Sequence, residues 1–319
     1  FSVITGDRFL NARPMERIIH PLNSMGANVM GRSNNSLGPL AIQGNHLNGI
    51  EYTLPTPSAQ IKSSILIAGL YAQNETKIHQ PSASRDHTEL MMKTMGANIN
   101  IQGLDVSINP SNLSSTNVQV PSDISSAAFW IVAASCHPNA RIKINGVGIN
   151  PYRTGILDIL SSMGANITIE NIREHGKEPC GDITVQSSNL KGTELSGDII
   201  PKIIDELPIL ALAACFAKGV TTIRDAQELR VKESDRIKST VQGLTNLGAR
   251  IEELPDGMII HGEQKLKGGY CKSFGDHRVA MTMGIAGMLS NGETIIDGAE
   301  AVNVSYPMFW NTLEKIQSS

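Results

Sequence analysis

Aromatic residues are scarce: 6 Phe, 5 Tyr and 2 Trp make up 4% of the 319 positions. Basic charge is not in excess either, with 27 Lys and Arg against 30 Asp and Glu for a formal charge of -3. Without stacking platforms or a basic footprint, no nucleic-acid partner is expected. Long apolar runs are missing too. The strongest, Ala127–Cys136 and Leu207–Ala217, fall well short of the ~20 residues needed to cross a bilayer, so no membrane partner is expected and the chain reads as soluble. Only four cysteines occur, Cys136, Cys180, Cys215 and Cys271, and none are in C-x-x-C spacing. Two of them lie in apolar helical runs, where a free thiol packs as a small hydrophobe. Neither a disulfide scaffold nor a metal site is expected, and a reduced, cytoplasmic setting is. No signal or transit peptide opens the chain, although its first residue is Phe1 rather than Met, so a segment upstream is expected.

What is present is repetition. The tetrapeptide MGAN occurs at Met25–Asn28, Met95–Asn98 and Met163–Asn166, and LGAR follows at Leu247–Arg250; spacings of 70, 68 and 84 residues mark a repeated supersecondary unit. Each copy closes an amphipathic stretch, which predicts a helix ended by Gly at the left-handed C′ position. After each one the pattern turns β-branched and alternating, as in NINIQGLDVSI and NITIE, which predicts paired strands. Ahead of these helices lie another helix and a short strand, as in IDELPILALAACFAKG followed by VTTIRDA. The unit is therefore βαβαββ. The first copy lacks its first helix, and a copy beginning at GDHRVAM lacks its closing hairpin. Length alone favours two domains over one.

Charge is concentrated in one segment, RVKESDR at Arg230–Arg236. Lys232 and Arg236 are i,i+4 neighbours if the segment is helical, with Glu233 and Asp235 able to pair locally, so a solvated helix end is one reading. The other depends on the rest of the chain.

The stretches TGDRFLNARPM (Thr5–Met15), PSAQIKS (Pro57–Ser63), SRDHTE (Ser84–Glu89), IDELPILA (Ile204–Ala211), RVKESDR and GDHRVAM (Gly275–Met281) follow one another over nearly the whole chain. In this order they resemble the enolpyruvyl transferases, and among them the 5-enolpyruvylshikimate-3-phosphate synthase family. The resemblance implies an α/β fold of α+β repeats: a two-lobed inside-out α/β barrel built from βαβαββ units. Positions 1–119 are then the remainder of the first lobe, about one and a half repeats, and 120–319 the second lobe, about two and a half. It implies addition of the enolpyruvyl group of phosphoenolpyruvate to the 5-hydroxyl of shikimate 3-phosphate. Phosphate leaves through a tetrahedral intermediate, with no cofactor, in a monomer. It also implies an upstream segment with a Lys-Ser…Arg phosphate-binding helix start and a Gly-rich loop, so these 319 residues alone are expected to be inactive or nearly so. Asp123 is placed by the same resemblance at a hinge whose closure excludes water.

This chemistry needs several cations for two phosphates and a carboxylate, best supplied as Arg forks. It also needs a base for the hydroxyl proton and an acid for the methylene carbon. The resemblance assigns Lys232 and Arg236 to ligand binding and makes Lys232 and Glu233 the acid/base groups. Asp205, just ahead of a helix whose Pro208 suits its first turn, becomes the carboxylate facing the 5-hydroxyl; complementing the helix dipole is the alternative. Glu206 beside it is expected to be structural. An Arg at a helix start is unfavourable unless an anion is near, so Arg278 is expected to hold phosphoenolpyruvate, with Asp276 as N-cap and His277 in packing. Arg13, ahead of a helix opening with Pro14, resembles another cation for the same substrate. Ser58 suits both a cap and a phosphate ligand. By resemblance Ser58, the Ala59 backbone and Gln60 hold shikimate 3-phosphate, with Gln60 also reaching the other substrate, while Lys62 has no assignment. Asp86 and Glu89 read as a capping box, and Ser84 and Arg85 as substrate ligands.

Other readings conflict with particular residues. The related UDP-N-acetylglucosamine enolpyruvyl transferases carry a reactive cysteine before their ARP element, whereas here GDRFLNARP has none and no cysteine precedes Cys136. An RNA terminal-phosphate cyclase conflicts with the charge and aromatic content. A non-catalytic anion-binding fragment would bind without turnover.

Overall fold

Four helices end in the same way. At Glu16–Ser24, His87–Thr94, Gly155–Ser162 and Arg236–Asn246 the following glycines, Gly26, Gly96, Gly164 and Gly248, have φ of 95°, 84°, 97° and 89°. This left-handed region is penalised for residues with a Cβ. The next alanine amide, of Ala27, Ala97, Ala165 or Ala249, reaches back to Leu22, Met92, Leu160 or Leu244 at 2.8–3.0 Å, the long bond of a Schellman motif. The carbonyls of Met25, Met95, Met163 and Leu247 in turn accept from the amides of Asn48, Ser114, Lys191 and Lys267 at 2.7–2.9 Å. Each repeat is thus tied to the chain that leaves it.

The computed structural model describes residues 1–317. These form two compact units: Phe1–Gln119 with Glu174–Glu178, and Val120–Arg173 with Pro179 onward. In the first unit one full repeat has strands Glu51–Thr53, Thr76–His79, Ile99–Gln102 and Asp105–Ile108. The first two pair in parallel, and the sheet order is first, second, fourth, third. The second unit repeats this order and sense with Glu194–Leu195, Val220–Ile223, Ile251–Leu254 and Gly257–His261. A further copy, Arg141–Gly148, Asn166–His175 and Glu178–Gln186, has its first strand reduced to a bridge between Ser122 and Val147. The first copy comprises Ser2–Ile4, Asn28–Gly31 and Leu37–Gln43, all antiparallel; the last has only the parallel pair Tyr270–Lys272 and Ile295–Asp297 among the described residues. The βαβαββ expectation holds.

Helices Ile124–Cys136, Leu207–Phe216 and His277–Met288 pack on one another at the centre of the second unit. Apolar on nearly every face and rich in Ala, they can only be buried. The scarce aromatics gather beside them: Trp130 stacks on Phe309 at 5.2 Å between ring centres, and Phe309 meets Trp310 edge-on at 4.9 Å. The first unit has its own core around Ile61, Ile65, Leu66, Ile78, Met92 and Ile108.

Several local expectations are corrected. Arg236 opens its helix behind Asp235, whose carboxylate accepts from the Lys238 amide at 3.0 Å, and Lys232 precedes it in extended backbone. Lys232 and Arg236 are therefore not neighbours on one helical face. Asp86 sits at an N-cap position without a side-chain capping bond, and Glu89 turns inward to Lys62, so no capping box forms. The helix after Arg13 begins at Glu16, with Pro14 ahead of it.

Candidate active site

The three central helices of the second unit start at Asp123, Glu206 and Asp276, a carboxylate at every N-cap position. Asp123 accepts from the Ser126 amide at 3.1 Å and Asp276 from the Arg278 amide at 2.9 Å, each satisfying one of the orphan donors of a helix start. Side chains bring the three starts together. Ser125, in the first turn of one helix, donates to Glu206 of the second. Arg278, in the first turn of the third, donates to the Asp205 carbonyl at 3.1 Å and lies 3.6 Å from Glu206. Three helix dipoles thus present positive ends to one region, which favours anions.

Cations reinforce that field. Arg236 is buried and meets three carboxylates: Asp276 at 2.8 Å, Asp205 at 3.2 Å and Glu233 at 2.5 Å. Burial works against its charge, but Asp276, Glu233 and Asp205 outweigh it and hold its pKa above the ordinary value. Arg278 lies 3.8 Å from the other Asp205 oxygen, so Asp205 is flanked by two guanidinium groups. Lys232 pairs with Glu228 at 2.5 Å. Burial pushes the Glu206 carboxyl upward, with Arg278 and Ser125 opposing. Burial, followed by the Arg278 charge, lowers the pKa of His277, leaving it neutral in neutral solution.

The expected residues Asp205, Glu233, Arg236 and Arg278 therefore meet, while Lys232, which precedes Glu233 in the chain, has its ion pair with Glu228 outside that group. Sequence reasoning missed several of their partners. Arg153 donates to Asp123 at 2.9 Å and to Ser125 at 2.7 Å. Glu206, expected to be structural, is a buried carboxylate that accepts from Ser125 and faces Arg278, which is compatible with that reading. Adjacent acids ahead of a wholly apolar helix, in IDELP, were its only signal.

In the first unit, Ser58 caps helix Ala59–Gly69 by accepting from the Ile61 amide at 3.4 Å. Ala59 and Gln60 form its first turn, where backbone donors are free for an anion. Ser84 donates to Gln80 at 2.8 Å and Arg85 is exposed just before helix His87–Thr94. Arg13 follows a 3-10 turn, Leu10–Ala12, in extended backbone and is half-buried. Among the described residues no His, Cys, Asp and Glu cluster suits a metal, and no helix is long and apolar enough to cross a membrane.

The sequence model for EPSP synthase (3-phosphoshikimate 1-carboxyvinyltransferase) matches residues 1–313. A 3-phosphoshikimate 1-carboxyvinyltransferase of Bacillus thuringiensis subsp. konkukian is 50% identical over 317 residues, covering 99% of this chain and 74% of that protein. A solved EPSP synthase from Acinetobacter baumannii superposes with a TM-score of 0.89 at 44% identity, over 98% of this chain and 73% of the other. The enolpyruvyl transferase NikO from Streptomyces tendae, at 19% identity and a TM-score of 0.78 over 94% of this chain and 70% of its own, shares the fold. By sequence and by fold, this chain belongs to the EPSP synthase family.

Proposed function

We propose that the protein transfers the enolpyruvyl group of phosphoenolpyruvate to the 5-hydroxyl of shikimate 3-phosphate and releases phosphate. The observation that carries this reading is Asp205 between Arg236 and Arg278, just ahead of one of three buried helices whose starts are joined by side-chain contacts. In the addition step the 5-oxygen bonds to C2 of phosphoenolpyruvate, its proton passes to a base, and an acid delivers a proton to C3. In the elimination step the C2–O bond to phosphate breaks and a proton leaves C3, restoring the double bond. Asp205 orients the hydroxyl or takes its proton, and Lys232 and Glu233 handle the proton at C3. Arg278, Arg236, Lys232 and Arg13 hold the phosphoenolpyruvate anions and the charge that grows on the departing phosphate. Ser58, the Ala59 amide, Gln60, Ser84 and Arg85 bind shikimate 3-phosphate, with Gln60 also reaching phosphoenolpyruvate.

The four unpaired thiols support a reduced, cytoplasmic setting. The proposed state is a monomer, which light scattering in solution checks. A coupled phosphate-release assay on the intact protein tests the reaction: phosphate appears only with both substrates, and mass spectrometry finds the enolpyruvyl ether. Release with UDP-N-acetylglucosamine in place of shikimate 3-phosphate would overturn the assignment.

A further inference from the structure

Lys62 and Glu89 form an ion pair that none of these roles uses. Nζ lies 2.6 Å from Oε1, with the two side chains only 1% and 2% exposed. Lys62 Nζ also reaches the Ser84 carbonyl at 3.4 Å, and Glu89 Oε2 is buried with no hydrogen-bond partner. A pair this deep is weak evidence for stability, because apolar residues of similar volume often do as well. The unmatched carboxylate oxygen adds a desolvation penalty. Its position supplies a reason.

Lys62 belongs to the first turn of helix Ala59–Gly69 and Glu89 to the first turn of helix His87–Thr94. A contact of 2.6 Å between the Ser63 and Thr88 hydroxyls joins the same two turns. One helix opens with Ser58, Ala59 and Gln60, and the other is preceded by Ser84 and Arg85. The Lys62 ammonium therefore fixes, through one group, the spacing of the two helix starts and the peptide that leads into Arg85. Recognition of one phosphate by donors on two separate elements depends on such spacing, since small misplacements cost large factors in productive binding.

We propose that Lys62 and Glu89 are a positioning pair for shikimate 3-phosphate: they touch no substrate but hold the Ser58–Gln60 and Ser84–Arg85 ligands in register. This rests on the substrate assignment above. Binding of shikimate 3-phosphate is titrated, and KM for each substrate and thermal melting are measured, in the intact protein, in Glu89→Gln and in Lys62→Met/Glu89→Leu. The double variant is expected to melt at or above the parent temperature. Its KM for shikimate 3-phosphate is nevertheless expected to rise about tenfold, against less than about threefold for phosphoenolpyruvate. Restored melting with an unchanged constant for shikimate 3-phosphate overturns the proposal. Should the double variant fail to fold, Glu89→Gln decides: a selective rise supports the pair, whereas no rise, or an equal rise for both substrates, overturns it. If the parent protein does not bind shikimate 3-phosphate, the substrate assignment falls and the pair's role with it. Parent binding with no loss in the variants removes the pair's role alone.

Discussion

Arg236 Nε stands 2.8 Å from Asp276 Oδ2, with the two side chains 2% and 0% exposed. The same aspartate caps helix His277–Met288 through its other oxygen, at 2.9 Å from the Arg278 amide. One carboxylate thus anchors one guanidinium and sets the helix start that carries the other. Asp276→Asn keeps a good capping side chain but removes the charge opposite Arg236. Leaving a buried charge short of its partner is expected to cost ~3 kcal/mol, read from urea unfolding midpoints. A midpoint unchanged from the parent would mean that Asp205 and Glu233 suffice for Arg236.

Asp205 is expected to matter for turnover more than for affinity. Asp205→Asn preserves shape and hydrogen bonding to Arg236 and Arg278 but loses basicity. The expected result is a fall of about 10²–10⁴-fold in kcat, with shikimate 3-phosphate binding reduced far less. Near-parental kcat would reduce Asp205 to a partner of the two arginines.

Arg278→Ala and Lys232→Ala remove cations assigned to phosphoenolpyruvate. Each is expected to raise its KM by about tenfold or more and to lower kcat, because charge-assisted contacts to desolvated anions are lost. Steady-state kinetics with phosphoenolpyruvate varied at saturating shikimate 3-phosphate distinguish this from a general loss of folding. An unchanged KM for phosphoenolpyruvate in Arg278→Ala would detach that residue from the substrate and leave it as a partner of Asp205 and Glu206.

The repeat was legible in the sequence because it is local. Helix ends at Gly26, Gly96, Gly164 and Gly248 follow from backbone geometry within six residues, and wholly apolar helices announce their burial. The site was legible only as residue types. Arg236 and Asp276 are 40 positions apart, and Ser125 and Glu206 are 81 apart. No periodicity connects them. Lys62 did carry a signal, as the one charged residue of helix Ala59–Gly69, but its partner Glu89 read locally as a capping residue. Local rules gave Glu89 a capping role, and tertiary pairing with Lys62 turned it inward instead.

A pH dependence is expected in the first unit. His79 pairs through Nδ1 with Asp105 at 2.8 Å and through Nε2 with Glu51 at 2.9 Å, spanning adjacent strands. The hydrogen bond to Asp105, then that to Glu51, raises its pKa above 6.5. A raised folded-state pKa contributes stability that is fully present below the unfolded value of about 6.5 and is lost as pH rises through the folded value. Unfolding midpoints of the parent are therefore expected to fall between pH 6 and 8 relative to Glu51→Gln/Asp105→Asn, by an amount kept small by solvent exposure. Parallel pH profiles for the two proteins would show that the histidine does not report on folding.

Gly284 tests the packing of the second unit's core. A Cβ built there would lie 2.8 Å from Trp310 Cζ3 and 2.9 Å from Phe309 Cε1, in a helix whose backbone conformation accepts alanine readily. Two opposed effects decide the sign. Alanine gains ~1 kcal/mol of helix propensity over glycine. Against this, the two rings would have to move, and both belong to the aromatic cluster in which Phe309 is fully buried against Trp130. Overpacking of rigid neighbours typically costs ~1–3 kcal/mol, which exceeds the propensity gain. Gly284→Ala is therefore expected to lower the melting temperature by a few degrees, a few degrees being the scale of ~1 kcal/mol for a domain of this size. The site residues lie at the opening turn of the same helix, two turns away, so KM for phosphoenolpyruvate is expected to stay near the parent value at temperatures well below the transition. A higher melting temperature would mean that Phe309 and Trp310 yield freely, and that the helix Phe309–Gln317 is only loosely seated on the central three.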